Sequence, residues 1–308
     1  MGMSLFNTKV GLALGGGGAK GIAHIGVLKA LEDANVEIEY LAGTSVGAMV
    51  ASLYAFNIGA DAIGDLARRL TLSEVTTFKF NKTGFFTTDS LKEMLIEYLG
   101  EVNIEEAAIP LSIIATDINT GEEVVFREGS LADAVCASAS IPGIYIPMTL
   151  NGRRLVDGGI VQSVPVQPLK AMGAGVIIAS HLNVDVYEEP KNVLDVMRNA
   201  FDIAVSQHTK GEIKEADLLI TMDLSDFSIR DNTERYDELF SIGYDTASKE
   251  LTKMSWYRKT NILFYLWRMM RDFSPFKVPE VVRRILTKSD SSSFHWGSIL
   301  AQIICGLP

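Results

Sequence analysis

Short apolar runs alternate along the chain with stretches in which apolar residues recur every three or four positions. The first pattern is typical of buried strands and the second of helices that pack on a sheet. Strands are predicted at residues 9–14, 40–42, 111–115, 176–180 and 218–222. Helices are predicted after residue 22, at 46–54, from about residue 89 and at 191–216. This order predicts an open sheet of parallel strands whose carboxyl ends border a ligand-binding crevice.

Two glycine-containing turns separate a predicted strand from a predicted helix. Residues 43–47 read Gly-Thr-Ser-Val-Gly, the G-x-S-x-G pattern that lifts a nucleophilic serine, here Ser45, onto a strained turn. Residues 16–21 read Gly-Gly-Gly-Ala-Lys-Gly, and the backbone N–H groups of such a run can stabilise an oxyanion. The pair of motifs predicts nucleophilic chemistry more specifically than either one does.

Nucleotide binding is the competing interpretation of the glycine run. Gly16, Gly18 and Gly21 satisfy the G-x-G-x-x-G spacing of dinucleotide sites. The acidic residues at 37 and 39 precede the second strand, whereas a carboxylate that binds ribose should end it. A phosphate loop of the Walker type is disfavoured because Lys20 is followed by glycine.

A nucleophilic serine needs a group that accepts its proton. Asp157 ends a predicted strand and precedes Gly158 and Gly159, so its carboxylate can approach from the side. His181 also follows a strand, and the order Ser45, Asp157, His181 fits a hydrolase triad. The residues alone leave both arrangements open. Asp117, another strand-end acid, is expected to bind the N–H groups of a turn.

Residues 16–21, 43–47 and the Asp-Gly-Gly at 157–159 together resemble the three signatures of the patatin-like phospholipase family. The resemblance covers roughly residues 8–225. It implies a three-layer α/β/α fold with a mostly parallel central sheet, a Ser–Asp dyad in place of a triad, and hydrolysis of acyl esters, usually those of lipids. It implies no cofactor and no metal.

By position, the resemblance makes Ser45 the nucleophile and Asp157 the general base. It assigns the oxyanion hole to the N–H groups of Gly16, Gly17 and Gly18, together with Ala19. The motifs are completed by Lys20, Gly21, Gly43, Gly47, Gly158 and Gly159. Lys20 is expected to be mainly structural, with a minor role toward an anionic head group. Gln162 and Ser163 replace an Asn that many bacterial relatives carry, which changes the wall of the site.

The sequence contains two further apolar segments. Along residues 191–216 one stripe is predicted to face the core, formed by Val193, Val196, Met197, Ala200, Phe201 and Ala204. Four phenylalanines at 78, 80, 85 and 86 fall within nine residues and show little periodicity. They predict a loop that either clamps onto the core or acts as a lid or wall for an acyl chain.

Composition narrows the class of partner. The 308 residues carry a formal net charge of −10, which argues against a nucleic-acid partner. Two cysteines imply no disulfide framework and suit a reducing cytoplasm, and residues 1–7 are too short for a signal peptide. Cys and His residues show no spacing suited to a metal site.

The last 58 residues differ from the rest. Residues 251–308 hold nine Lys or Arg, three acids and all three tryptophans, and no stretch is long enough to span a membrane. Helices at 256–273 and 280–288, with apolar and basic faces, predict an element that lies on an anionic membrane surface. Alternatively, the basic faces pack on an acidic catalytic domain. The sequence thus predicts a catalytic domain at 1–250 and an appendage at 251–308.

The prediction is a cytoplasmic, peripherally membrane-bound serine hydrolase that cleaves lipid acyl esters. A thioesterase or an acyltransferase with the same dyad is the alternative among enzymes. A weakly active lipid-binding or regulatory protein is the alternative outside enzymes. The sequence predicts no oligomeric state, head group or chain length.

Overall fold

The computed structural model describes residues 9–69, 77–81, 83–183, 189–227 and 235–258. The chain comprises two compact units, Met1–Met254 and Ser255–Pro308, and the first of them contains the sheet and the helices that position the site. The predicted helices of the basic appendage lie outside the described residues from residue 259 onward. The predicted division at residue 250 therefore stays a prediction.

An eight-stranded mixed sheet forms the centre of the fold. Seven of its strands follow the order β10-β9-β1-β2-β5-β8-β7, and β6 pairs with β5. Neighbours from β10 to β5 are parallel, whereas β6, β7 and β8 join by antiparallel pairing. The strands, including a separate hairpin of β3 and β4, are β1 Val10–Leu14, β2 Tyr40–Thr44, β3 Thr77–Asn81, β4 Gly84–Thr87, β5 Leu111–Asp117, β6 Glu123–Phe126, β7 Met148–Leu150, β8 Arg153–Asp157, β9 Val176–Asn183 and β10 Leu218–Asp223.

Helices cover both faces of this sheet, so the predicted three-layer α/β/α fold is confirmed. Every residue of β1 and β5 is buried, as expected for strands covered on both faces. The helices are α1 Ile22–Asp33, α2 Val46–Ala55, α3 Ala60–Arg69, α4 Asp89–Leu99, α5 Leu131–Ser138, α6 Val166–Met172, α7 Val193–Glu212 and α8 Tyr236–Arg258. Each strand and helix predicted within the described residues is present to within a few residues of its predicted bounds.

The prediction for the apolar stripe of α7 is wrong. The side chains of Val193, Val196 and Met197 are 74%, 54% and 45% exposed. Ala200 and Ala204 are exposed as well, and only Phe201 of the predicted stripe is partly buried. Helix α7 carries apolar residues on two sides, and the side that turns inward contains Phe201 and Val205. Periodicity finds an apolar face but does not select between two of them.

The phenylalanine-rich segment is a hairpin and not a loop. Strands β3 and β4 pair in an antiparallel manner. The β4 backbone also bonds to a neighbouring segment, because the N–H groups of Phe85 and Phe86 donate to the Ile144 carbonyl at 2.9 and 3.1 Å. Phe78 and Phe80 alternate with polar residues. This period of two is typical of a strand, and it is the feature of the sequence that indicates the hairpin.

Candidate active site

Ser45 stands on a strained turn between β2 and α2. Its φ and ψ angles are 54° and −124°, which is a conformation that residues with side chains rarely adopt. Glycines on both sides make the turn possible. A methyl group on Gly43 would lie 2.5 Å from the Ala48 Cα, and one on Gly47 would lie 2.1 Å from the Leu14 carbonyl oxygen. This geometry matches the nucleophile-elbow prediction.

Asp157 lies at the end of β8 with its side chain 3% exposed. Its carboxylate accepts a hydrogen bond from the Gly159 N–H at 2.8 Å, and the nearby Ser45 hydroxyl favours its charged form. Its own backbone is held by Thr116, whose hydroxyl donates to the Asp157 carbonyl at 2.9 Å. The structure therefore brings the two predicted catalytic side chains together in the wall of one cavity.

Burial raises the pKa of Asp157 from its ordinary value of 3.8 to about 6. Removal from water penalises the charged carboxylate, and the bond from the Gly159 N–H and the nearby Ser45 hydroxyl oppose this effect only in part. Negative charge on Asp202, a residue of α7, raises the pKa further. A carboxylate with a pKa near 6 is a stronger base than an ordinary one, yet it is still ionised at neutral pH.

The glycine run turns from β1 into a 3-10 helix, Gly18–Gly21, beside Ser45. A methyl group on Gly16 would lie 3.6 Å from the Ser45 Cβ. The Gly16 N–H donates to the Ser163 carbonyl at 3.0 Å, so it is not available to an oxyanion. Within the described part of the chain, no group accepts the N–H of Gly17, Gly18 or Ala19, as is usual for the first turn of a helix.

Two other residues of this run hold the backbone in place. Lys20 is 4% exposed, and its ammonium group donates to the Leu224 carbonyl at 2.9 Å. A methyl group on Gly21 would lie 2.1 Å from a Val46 methyl carbon, so the 3-10 helix and α2 approach closely here. Lys20 thus makes the structural contact that is expected of it.

Sequence reasoning misses two polar residues that fix the turns. Ser138, at the end of α5, accepts the Ser45 N–H on its hydroxyl at 2.8 Å. His24 is fully buried, with Nε2 2.8 Å from the Gly15 carbonyl and Nδ1 2.8 Å from the Ser180 hydroxyl. Burial lowers the pKa of His24 to about 4, so its imidazole is neutral. The motifs do not specify these hydrogen bonds, because each bond joins residues of different elements.

The other two candidate catalytic residues, His181 and Asp117, lie in different surroundings. His181, near the end of β9, lines the same cavity as Ser45 and Asp157. Asp117 accepts the Asn119 N–H at 3.0 Å in the turn after β5, and it is not among the residues that line the cavity. The expected turn interaction of Asp117 is therefore present.

Ser45 opens into a cavity of about 440 Å³. Polar groups lie near Ser45, on the glycine run, β8, β9 and α7. The remaining wall is apolar and comes largely from α1, α2, α3 and α4, through residues that include Ile25, Met49, Leu53, Ile63, Leu66 and Met94. Because α2 rises about 1.5 Å per residue, its lining from Val46 to Leu53 follows the helix for about 10 Å away from Ser45.

The described residues contain no group of three His, Cys, Asp or Glu side chains that could hold a metal ion. In the same residues, no helix combines the length and the apolar content that crossing a membrane requires.

Comparison with known sequences gives consistent matches. A family model described as patatin-like phospholipase matches residues 12–170. An uncharacterised NTE family protein of Mycobacterium tuberculosis is 36% identical over 178 residues, which are 57% of this chain and 49% of that protein. The lysophospholipase NTE1 of Yarrowia lipolytica is 31% identical over 198 residues, 62% of this chain and 14% of that protein. The chain thus matches half or less of the length of these relatives.

Among solved structures, VipD from Legionella pneumophila superposes with a TM-score of 0.50 at 16% sequence identity. The match covers 80% of this chain and 67% of VipD. At this identity the likeness concerns the fold alone.

Proposed function

Because the chain belongs to the patatin-like phospholipase family, we propose that it hydrolyses acyl esters of lipids, with Ser45 as nucleophile and Asp157 as general base. One observation carries this proposal. The Ser45 hydroxyl lies beside a buried carboxylate at the polar end of a cavity that is otherwise lined by apolar side chains. Such an arrangement suits a substrate that combines a polar ester with an acyl chain.

The first half-reaction transfers the acyl group to the enzyme. The Ser45 oxygen attacks the ester carbonyl carbon while its proton passes to the Asp157 carboxylate. The tetrahedral intermediate carries a negative charge on the former carbonyl oxygen. When it collapses, the bond to the alcohol oxygen breaks, and the proton on Asp157 is transferred to that oxygen. An alcohol or a lysolipid leaves, and the acyl group remains on Ser45.

The second half-reaction releases the acid. A water molecule gives a proton to Asp157 as its oxygen attacks the acyl carbon. Collapse of this intermediate breaks the bond to the Ser45 oxygen, which recovers the proton from Asp157. The products are the carboxylic acid and the starting enzyme.

We assign the oxyanion hole to the N–H groups of Gly17, Gly18 and Ala19, without that of Gly16. The support is that these three donors have no acceptor within the described residues, whereas the Gly16 N–H is bonded to Ser163. Each donor aimed at the developing charge is worth about 3–4 kcal/mol in enzymes of this chemistry. A methyl group on Gly18 would meet no atom within 4 Å, which leaves room for a substrate there.

The interaction of the Ser45 hydroxyl with the Asp157 carboxylate favours the dyad over a triad through His181. In a Ser–His–Asp triad the imidazole stands between the other two side chains. Here the Ser45 hydroxyl itself acts on the carboxylate and lowers the pKa of Asp157, whereas His181 is not among the groups that shift this pKa. His181 lines the cavity and is better placed to contact a substrate.

The test is release of fatty acid from a monoacyl phospholipid by the parent and its variants. We expect Ser45→Ala to abolish release and Asp157→Asn to lower it by about 10²–10⁴-fold. The matched control is Asp117→Asn, a change in a second strand-end acid, which keeps the turn acceptor and should retain the parent rate. Release that is undiminished in Asp157→Asn, or lost when His181→Gln alone is made, would replace the dyad by another arrangement.

A further inference from the structure

One short loop, residues 162–164, touches both halves of the active site. It follows the Asp-Gly-Gly motif and precedes α6. The Gln162 carbonyl accepts the hydroxyl of Thr44, the residue before the nucleophile, at 2.9 Å. The Ser163 carbonyl accepts the N–H of Gly16, at the start of the glycine run, at 3.0 Å. The position of this loop therefore affects the nucleophile and the glycine run together.

The loop is itself held by Glu212, the last residue of α7. One carboxylate oxygen accepts the Val164 N–H at 2.8 Å, and the other accepts the Ser163 N–H at 3.3 Å. Only 9% of the Glu212 side chain is exposed. Burial raises the pKa of Glu212, while the bonds from these two N–H groups and the nearby His208 favour the charged form.

A carboxylate suits this pair of donors. Each of the two N–H groups bonds a different oxygen of Glu212, and an ionised glutamate presents both oxygens as acceptors. The amide of glutamine offers one acceptor oxygen and would turn its NH₂ group toward the second donor. A buried N–H that loses its acceptor is costly, so the loop would have to shift.

We propose that Glu212 is a positioning residue that holds the glycine run in its place beside Ser45. It acts through the loop: its carboxylate fixes Ser163 and Val164, the Ser163 carbonyl fixes Gly16, and Gly16 sets the direction of the three N–H groups that follow. This inference rests on the proposed function, because it assigns those N–H groups to an oxyanion. A displacement of about 1 Å in a catalytic group can lower a rate by about 10²-fold.

Glu215, three residues further along the chain, provides a matched control. Its carboxylate is about half exposed and binds the side chains of Lys170 and Gln167. Both partners belong to α6, so the Glu215 carboxylate holds that helix and not the backbone of residues 162–164. The same Glu→Gln change at the two positions therefore separates the loop contact from a general loss of negative charge.

The experiment compares the full chain with Glu212→Gln and Glu215→Gln. A soluble ester gives kcat and KM, a long-chain alkyl fluorophosphonate gives the rate and final stoichiometry of labelling, and amide hydrogen exchange is followed on peptides that cover residues 12–21. For Glu212→Gln we expect kcat and the labelling rate to fall about 10- to 100-fold with KM unchanged. Exchange at Gly16 should become faster. Glu215→Gln should match the parent in every measurement.

The stoichiometry of labelling counts folded sites, so kcat per labelled serine remains meaningful if Glu212→Gln is less stable. Parental kcat per site in Glu212→Gln, with or without a lower melting temperature, overturns the proposal. So does a fall in kcat with unchanged exchange in residues 12–21. A parent that neither hydrolyses esters nor reacts with the fluorophosphonate contradicts the proposed function instead, and the exchange measurement then still decides whether Glu212 holds the glycine run.

Discussion

At the scale of single residues, the chemistry of this site depends on the burial of Asp157. The same desolvation that raises its pKa to about 6 makes it, in the mechanism that we propose, a better base for the Ser45 hydroxyl. The base must be ionised to act. We therefore expect kcat/KM for a soluble ester to rise with pH through about 6 and to become constant above it. A profile that stays flat between pH 5 and 8 would contradict the assignment of Asp157.

Asp157 should also make the stability of the protein depend on pH. Its pKa is higher in the folded state than the ordinary value of 3.8, so folding favours the protonated form. Its contribution to stability is full below about pH 3.8 and is lost as the pH rises through about 6. The loss amounts to about 2–3 kcal/mol at 1.36 kcal/mol per pKa unit.

Asp157→Asn removes this titration while keeping an acceptor for the Gly159 N–H. We expect the free energy of unfolding of Asp157→Asn, relative to the parent, to be higher at pH 8 than at pH 4 by about 2–3 kcal/mol. Urea unfolding of both proteins at the two pH values measures the difference. An equal difference at both pH values would mean that the carboxylate is not destabilised by burial.

The motif residues of the site were predictable from the sequence, whereas their supports were not. Ser45 and Asp157 lie in short patterns that the chain shows directly. Ser138, His24 and Glu212 act through hydrogen bonds to residues between 9 and 156 positions away. The bond from Gly16 to Ser163 could not be foreseen either, so the prediction that the N–H of Gly16 serves the oxyanion is wrong.

At the scale of elements, the close approach of α2 to β1 decides where Ser45 stands. A methyl group on Gly47 would lie 2.1 Å from the Leu14 carbonyl oxygen and 2.6 Å from that of Gly15. Backbone atoms of a buried strand cannot move aside cheaply. We expect Gly47→Ala to destabilise the fold by about 3 kcal/mol or more, in the range of overpacked cores, and to remove activity.

Gly211 is the matched control, since it also lies in a helix but has no atom within 4 Å of an added methyl group. Gly211→Ala should be neutral or more stable by up to about 1 kcal/mol. Chemical unfolding of the two variants gives both values. If the two variants have the same free energy of unfolding, α2 does not lie as close to β1 as described.

Element types were predictable where one pattern dominated a segment. The strands and helices around the two glycine-containing turns have clear apolar runs and clear helical spacing. Helix α7 has apolar residues on two sides, so the pattern identified a helix but chose the exposed side as the buried one. The hairpin of β3 and β4 has only a few alternating positions on each strand, and their signal was weaker than that of Asn81 and Gly84, which end β3 and begin β4.

At the scale of the whole molecule, the predicted role of the appendage is to bring the chain to a membrane that contains its lipid substrate. Residues 251–308 are still only predicted to contact an anionic membrane surface. The location of the protein at the cytoplasmic side of a membrane is a prediction as well. Helix α8 continues to Arg258, and Leu251 within it is buried. A deletion that tests the appendage should therefore begin after residue 258, and not at the predicted boundary of 250.

We expect a chain that ends at residue 258 to keep the melting temperature of the parent and to lose binding to vesicles of anionic phospholipid. Flotation at low and high salt measures this binding, which should weaken with salt because it depends on Lys and Arg. Equal binding by the shortened chain, or unfolding of it, would refute the membrane role of the appendage.

The layered fold was predictable from its family signatures and from the order of strands and helices. The antiparallel strands β6, β7 and β8 were not, because pairing direction depends on connections that short apolar runs do not specify. The packing of α8 on α1, where a methyl group on Gly26 would lie 2.1 Å from the Phe240 carbonyl oxygen, joins residues more than 200 positions apart. Local sequence carries no signal for such a contact.

The central claim is that Ser45 is an activated nucleophile in a site that accepts an acyl chain. The most direct measurement is the intact mass of the protein after treatment with a long-chain alkyl fluorophosphonate, followed by peptide mapping, with Ser45→Ala beside the parent. We predict one adduct on the peptide that contains Ser45 and none in the variant. A parent that stays folded and unlabelled, or an adduct that persists in Ser45→Ala, would contradict the account.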